Sequence, residues 1–467
     1  MIKAQGTLKD PPSADSFDWP LAPEAETLLR RILDQFFAEN SFAKVLSERL
    51  REETATDFFE WIDHFSVGLE QEDALAAVGF VPETSFDAPD GERVLAHPRA
   101  TLPRVRLRRG TPRNALRIAL RPESVVDFVA GHHLRSEIVG EPFSRYRAVI
   151  VAQEGGTSLE AVERHAYCGF VGARLNPADL EAIIKARELW RTRPRRLADE
   201  AEGFMAATEI LKRVVALVGQ DRACQYFFEE ERRYWQNRNQ AARVQKHRQD
   251  QLGLGWGNHD HHTFRSSRRH FVDLIQFLLQ LGFRKRERFY AGAEAGWGAQ
   301  ILENPVTGIV VFADVDLLPE EVAIDFSSVK IPATPRLGTV GLWVGLHGES
   351  FLQAGMHHLE ARFDFGLLQT QLKARGVKTM APFSDFQFLR QAFTEGERWP
   401  VAQERLETLF EAKQITREQL ERFRAEGAIG SHLENLQRHG GFKGFNQKSV
   451  SVIIEATDPR REHFRGS

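Results

Sequence analysis

The sequence predicts an α+β protein with two parts: a pair of β-α-β-β-β modules in the C-terminal half, and an additional α+β domain before them. Three observations carry this. Apolar residues alternate in short runs and recur every three to four residues in longer ones, and the two kinds of run interleave along the chain. From residue 256 the order strand, helix, strand, strand, strand is legible, and it starts again at residue 357. Each repeat opens on adjacent histidines, His261-His262 and His357-His358.

Composition agrees with this class. The chain has 467 residues, 42% of them apolar and 27% charged, which places it with globular proteins and outside the disordered and collagenous classes. That length corresponds to about three domains at roughly 150 residues each. No apolar run approaches the ~20 residues of a membrane span, so no membrane association is expected. MIKAQGTLKDPPSADSFDWP has no apolar core of the secretory type. With only Cys168 and Cys224, far apart, neither a zinc cluster nor a disulfide framework forms, and a reducing cytoplasm is the expected location. A net charge of −3 offers no global basic field for nucleic acid. Oligomeric state is left open.

Residues 1–20 carry Pro and Asp and are expected to fray. From 22 to 51 Leu28, Leu29, Ile32, Phe36 and Phe37 recur at helical spacing. Residues 59–80 read as a strand and a helix closed by Gly79, a unit resembling a degenerate module in which His64 is structural. Residues 92–130 and 146–153 alternate like strands, and RVRLRRGTPR (104–113) reads as an exposed strand edge and a turn, where arginines discourage edge pairing. His132-His133 follow Gly131 with no module-like helix after them, and read as a loop. The N-terminal α+β domain is placed at 21–175. A helical connector follows over 176–255, and its basic run 232–248, offset by Glu229, Glu230 and Glu231, reads as solvated. QLGLGWGN (251–258) reads as a boundary and lacks the Lys-Ser/Thr of a phosphate loop.

The module pair occupies 256–467. Its first unit has a strand at 261–265, then a helix at 267–281 with Phe271, Leu274, Ile275 and Leu278 on one face and Gly282 as its stop. Three strand-like runs follow, RKRERFYAG, WGAQILEN and GIVVFADVDL. The second unit has a strand at 357–363, a helix bearing Phe365, Leu368 and Leu372 that ends at Gly376, and a strand at 385–394. A helical insertion at 401–426 follows, and then a strand at 431–438. Thr416 and Gln419 form a capping box inside the insertion. SVSVIIEATDP suits a helix or a strand equally.

Alternate residues of a strand share a face. His261, Thr263 and Arg265 therefore point one way, and so do His358, Glu360 and Arg362. Both modules thus present His-x-x-x-Arg on one face, a polar face that a metal and an anionic ligand would explain. His259-Asp260 suits a pair that orients a ligand from behind.

In these features the sequence resembles the vicinal oxygen chelate superfamily, which sets two such modules around one metal. More narrowly, residues 261–438 resemble the 2-oxoadipate dioxygenase/decarboxylase family. The matching segments are His261-His-Thr-Phe-Arg265, His358-Leu-Glu-Ala-Arg362, Leu389-Arg390-Gln391 and Ser431-His432-Leu-Glu434-Asn-Leu-Gln437-Arg438. His432-Leu433 departs from the family's Phe-Gly, and residues 1–250 have no counterpart in the match. The resemblance implies His261, His358 and Glu434 as metal ligands, a facial triad suited to non-haem Fe(II). A guanidinium fork matches a carboxylate, so Arg265 and Arg362 are expected as substrate carboxylate clamps, the other reading being that they pair with Glu360 and Glu434, and Gln391 suits a hydrogen-bonding partner of a ligand or bound oxygen. The partners the resemblance implies are a 2-oxo acid substrate and dioxygen. Superfamily spacing also permits His262, His357 and Glu455 as the ligand set. A metal-dependent lyase or isomerase, and a non-catalytic small-molecule binder, are the other functions the superfamily offers.

Overall fold

The computed structural model describes residues 19–84, 87–109, 115–197, 199–293, 295–445 and 458–460. Residues 1–18, most of the ambiguous run at 449–459 and Glu455 lie outside the described residues.

Helices α1 (Pro23–Glu39) and α2 (Ser41–Arg49) open the fold. The single helix that periodicity predicts over 22–51 divides at Asn40. Its side chain accepts from the Ala43 N–H and donates to Thr157 Oγ1, 3.1 Å away, so the capping residue is tied to the sheet.

The first sheet contains two modules. One is β1 (Ile62–Gly68), α3 (Glu72–Ala77), β2 (Val81–Pro82), β3 (Arg93–Ala96) and β4 (Arg104–Arg108). The other is β5 (Arg117–Leu120), α4 (Val125–Gly131), β6 (Ile138–Val139), β7 (Tyr146–Glu154) and β8 (Thr157–Arg164). The strand order is β2-β3-β4-β1-β5-β8-β7-β6. Where the sequence suggests one degenerate module there are two, because the short strands β2 and β6 give no periodic signal. The strand part of the run at 104–113 is not an edge; residues 110–113 lie outside the described residues. β4 pairs with β3 on one side and β1 on the other, burying Val105 and Leu107 against the core and presenting its arginines to the opposite face.

Residues 177–250 form α5 (Pro177–Arg191), α6 (Glu200–Val218), α7 (Gln220–Gln236) and α8 (Gln240–Asp250). The run 232–248 within them is not solvated throughout as its charge predicts, since Arg232, Trp235, Gln245 and Arg248 are buried. α7 buries Phe227, Phe228 and Trp235, and with them Glu231, which is 0% exposed and receives Arg193 at 2.8 Å and Arg195 at 2.6 Å. A charged sequence reads as a surface until its charges find internal partners. Gly253 takes a left-handed φ of +65°, and a Cβ there would lie 2.3 Å from the Asp127 carbonyl oxygen. The glycine-rich boundary is thus a turn pressed onto α4.

The second sheet repeats the arrangement of the first. Its first module is β9 (His259–Arg265), α9 (Phe271–Gln280), β10 (Arg284–Tyr290), β11 (Trp297–Glu303) and β12 (Val310–Asp316). Helix α10 (Thr339–His347) leads to the second: β13 (His358–Arg362), α11 (Phe365–Lys373), β14 (Ser384–Phe386), β15 (Leu389–Phe393), β16 (Glu397–Trp399), α12 (Gln403–Glu411), α13 (Arg417–Glu426) and β17 (Ala428–Arg438). The order β10-β11-β12-β9-β13-β17-β15-β14 matches the first sheet strand for strand, with β16 added beside β17. The strand predicted over 385–394 is a hairpin of β14 and β15. Thr416 and Gln419 form the predicted capping box.

One face of this sheet packs Phe264, Val311, Ala313, Val315, Leu359 and Leu433 against α5–α9. The other, inner face carries His261, Thr263, Arg265, His358, Glu360 and Glu434, and continues over β10–β12 with Phe289, Trp297, Ile301 and Phe312. Among the described residues no helix is long and apolar enough to cross a membrane, and Cys168 and Cys224 are free thiols.

Candidate metal centre

Strand pairing builds the site. β9 and β13 run antiparallel with His261 opposite Glu360 and Thr263 opposite His358; β13 and β17 run parallel with Glu360 opposite Glu434 and His358 opposite His432. Two adjacent rows of the sheet therefore hold His261, Glu360, Glu434, Thr263, His358 and His432. His358 Nε2 lies 2.9 Å and His261 Nε2 3.9 Å from Glu434 Oε2. One ligating atom from each of the three residues lies within 4.8 Å of the others, and all three residues are buried. The ring of Phe312 stacks on His261 at 4.3 Å and that of Phe393 lies 5.1 Å from His358.

The residues behind these groups set their orientation. Glu360 Oε1 sits 3.1 Å and Asp260 Oδ1 3.5 Å from His261 Nδ1. These carboxylates favour a proton on Nδ1, which leaves Nε2 as the nitrogen that faces Glu434. Asp260 is itself gripped by Arg362 at 2.9 Å and by Arg438 at 3.1 Å. His357 Nδ1 and His358 Nδ1 are 2.8 Å apart, so one of the two carries a proton there; with it on His358, His358 Nε2 is an acceptor, which the Thr263 hydroxyl meets at 2.9 Å. Gln391 Nε2 donates to Glu360 Oε2 at 3.0 Å and Glu434 Oε1 at 3.1 Å, bridging the two carboxylates.

The electrostatics call for a cation. Burial and then the neighbouring Glu360 push the Glu434 carboxyl well above the usual range. Burial opposes protonation of His261, but Glu360 and Asp260 lift it to about 9. A dication between His261, His358 and Glu434 would relieve this crowding of carboxylates, and two imidazoles with one carboxylate are a donor set for Fe(II), Mn(II), Co(II) or Zn(II). The residues present fit a metal.

The structure separates the two arginines that the sequence puts around one ligand. Because β9 and β13 are antiparallel, a residue four positions after each histidine lies at opposite ends of the triad. Arg265 is 4% exposed at one end; its Nε and one terminal nitrogen have no hydrogen-bond partner, and its nearest carboxylate oxygen, on Asp314, is 4.0 Å away. Burial, opposed by Arg265, raises Asp314 to about 7. Arg362 at the other end is paired with Asp260 and with Glu60 at 3.5 Å, and lines a cleft of about 300 Å³ between the two sheets. The two arginines therefore differ in setting: Arg362 is engaged in ion pairs, and Arg265 has buried N–H groups without a partner.

Other histidines fall elsewhere. His262 is buried against Phe228 and near Arg232, and His357 against Trp343; among the described residues neither joins a group of three ligating side chains. His259 turns to the Trp256 carbonyl, so of the pair His259-Asp260 only Asp260 backs a ligand. His132 packs on Phe128. Sequence reasoning noticed Glu360 as a member of the inner face but missed its hold on His261; alternation along β13 was the available signal. His432 was noticed as part of a motif and given no role, although it stands two residues before Glu434 on the same strand.

No known family model matches this chain, and no curated protein matches it. Solved structures similar to it include 4-hydroxymandelate synthase from Streptomyces coelicolor, in a triple mutant, at 14% identity and TM-score 0.29, covering 88% of this chain and 100% of that one. Methylmalonyl-CoA epimerase from Mycobacterium tuberculosis is similar at 14% identity and TM-score 0.22, covering 39% of this chain and 88% of its own. A xylose isomerase-like TIM barrel/4-hydroxyphenylpyruvate dioxygenase fusion protein is similar at 10% identity and TM-score 0.22, covering 89% of this chain and 56% of its own.

Proposed function

We propose that this chain is a non-haem Fe(II)-dependent dioxygenase/decarboxylase of the vicinal oxygen chelate superfamily acting on a 2-oxo acid, in the manner of the 2-oxoadipate dioxygenase/decarboxylase family. The observation that carries the reading is the convergence of His261 Nε2, His358 Nε2 and Glu434 Oε2 on one point of a buried face, with the unpaired guanidinium of Arg265 on the same face.

Fe(II) held there by His261, His358 and Glu434 would supply open positions for a bidentate 2-oxo acid and for dioxygen, leading to decarboxylation and insertion of oxygen into the same molecule. The protein's part is orientation and exclusion of water. Glu360 and Asp260 hold His261 in the tautomer that ligates through Nε2. Gln391 fixes Glu434 in the plane that faces the histidines. Arg265 offers its free N–H groups to a substrate carboxylate, in a setting where a guanidinium fork gains the most from a planar anion. Phe289, Trp297, Ile301 and Phe312 make the adjoining part of this face apolar, which strengthens each of these interactions.

The test is metal content after anaerobic Fe(II) loading, with His358→Ala beside the parent, followed by oxygen uptake over a panel of 2-oxo acids. About one iron per chain in the parent and none in the variant, with uptake on at least one acid, supports the reading. Metal bound without oxygen uptake supports a lyase or isomerase using the ion as a Lewis acid. No metal in either protein sinks the reading and favours a binding module.

A further inference from the structure

We propose that His432 determines substrate specificity at this site: its Nε2 accepts a hydrogen bond from a hydroxyl group of the substrate, while Arg265 binds the substrate's carboxylate. The proposal rests on the reading of the metal centre given above and adds to it a chemical feature of the molecule bound there.

His432 belongs to the inner face. It precedes Glu434 by two residues on β17, so the two side chains project from the same side, and the pairing of β13 with β17 sets it directly beside His358. Arg265 lies one row further along the sheet, beyond Thr263. The three residues therefore line the same end of the triad.

The tautomer of His432 is fixed by its partner. Nδ1 lies 3.1 Å from the Thr394 carbonyl oxygen, and a carbonyl can only accept, so the ring proton is on Nδ1 and Nε2 presents a lone pair. That lone pair is buried and has no hydrogen-bond partner, in a residue 1% exposed. Its ring neighbours do not supply one: Phe393, at 5.0 Å, has no donor, and the Nδ1 of His357, whose ring is 5.3 Å away, is engaged with His358. Buried acceptors are rarely left unpaired.

Two kinds of unsatisfied group thus lie on one face at the same end of the triad. Arg265 offers N–H donors with positive charge and His432 offers a neutral acceptor. Their complement is a molecule carrying a carboxylate and an O–H. A 2-oxo acid without a hydroxyl satisfies Arg265 and leaves His432 Nε2 unpaired; one with a hydroxyl satisfies both.

The experiment uses the full chain loaded with Co(II), whose visible spectrum reports ligand binding at the metal. Affinities are measured for three matched pairs: pyruvate and hydroxypyruvate, phenylpyruvate and 4-hydroxyphenylpyruvate, 2-oxoglutarate and 4-hydroxy-2-oxoglutarate. The parent is expected to bind the hydroxylated member of at least one pair about fivefold more tightly or better, the scale of one satisfied hydrogen bond. His432→Phe keeps a flat ring without a nitrogen and is expected to lose that preference at unchanged cobalt content. His432→Gln, whose amide can donate to Thr394 and turn its oxygen to the site, is expected to keep it, a rescue that a purely structural role would not produce. No preference in the parent over the three pairs, or the same preference in His432→Phe, overturns the proposal and leaves the metal reading standing. Where His432→Phe does not fold, the parent's preference and its retention in His432→Gln decide. A parent that binds no cobalt overturns both.

Discussion

Arg117 occupies in the first sheet the position that His358 occupies in the second. The row His64, Ala119, Glu160 corresponds to His261, Glu360, Glu434, and Arg117 stands two residues before Ala119 as His358 does before Glu360. The duplication extends further. Arg164 grips Asp63 with both nitrogens at 2.8 Å, and Arg438 grips Asp260 in the same way. In the first sheet the exposed Arg117 guanidinium lies 3.3 Å from Glu160, so a positive charge stands where the second sheet has the imidazole of His358. The chain is therefore expected to bind one metal ion, not two. Glu160→Gln should leave metal content unchanged while Glu434→Gln removes it, measured by atomic absorption on anaerobically loaded protein; equal loss in both would mean that the first sheet also ligates.

Glu360 is expected to matter nearly as much as a ligand. It is 0% exposed and contacts His261, Gln391 and, at 3.9 Å, Arg438. Glu360→Gln keeps the shape but removes the charge that fixes His261, and should weaken metal affinity by roughly 10–100-fold, as partners of ligating histidines do. A chelator competition titration measures this directly. An unchanged affinity would show that Asp260 alone orients the ring.

How much of this was legible in the sequence follows from what each feature depends on. The inner face of β9 and β13 was legible because alternation is local: His261 and Arg265, or His358 and Glu360, share a side wherever the strand lies. The fate of Arg265 and Arg362 was not, because strand direction is a property of the pair; two equivalent positions on antiparallel strands diverge. The charged segment around Glu231 was misread for a related reason: Arg193 and Arg195, which neutralise it, lie some forty positions away in sequence and meet it only after α5 packs on α7. The second N-terminal module was hidden by strands of two residues, too short for any period to show.

Glu231 carries a stability prediction. A carboxylate 0% exposed and shared by two guanidinium groups is costly to form but more costly to break, because removing one side leaves the other buried and unpaired. Glu231→Ala should lower stability by roughly 3–5 kcal/mol. Replacing all three residues with apolar ones of similar size should cost far less. Urea unfolding of the two variants makes the comparison, and a triple variant as unstable as the single one would locate the cost in packing alone.

Glu26 carries a pH prediction. It joins α1 to the chain after β17: its carboxylate takes Arg30 at 2.7 Å and the Gly441 N–H at 3.0 Å. Burial opposes the charge, but His439, Arg30 and Gly441 together hold its carboxyl down to about 2. Since the folded value lies below the unfolded one, the stabilisation is complete above about pH 4.5 and is lost as pH falls toward 2. Glu26→Gln should therefore be less stable than the parent by roughly 1–2 kcal/mol near neutrality, with the gap closing through that acid window. A gap that stays constant down to pH 2 would show that the charge contributes nothing.

Arg265 separates substrate binding from metal binding. Its role as a carboxylate anchor and a role as a mere partner of Asp314 predict different things. The geometry favours the anchor: at 4.0 Å the Asp314 oxygen is outside hydrogen-bond range, burial holds Asp314 near the midpoint of its titration at neutral pH, and the Arg265 nitrogens remain unsatisfied. For an anchor, Arg265→Ala should raise KM for a 2-oxo acid by roughly 10–100-fold, the scale of a buried charge-assisted hydrogen bond, while iron content stays the same. Arg265→Lys should recover little of this, since an ammonium is a point charge and cannot match the planar carboxylate with two parallel bonds. Asp314→Asn should then leave KM close to that of the parent. If Asp314→Asn instead raises KM as much as Arg265→Ala does, the two residues act as one ion pair and the anchor must lie elsewhere on the inner face.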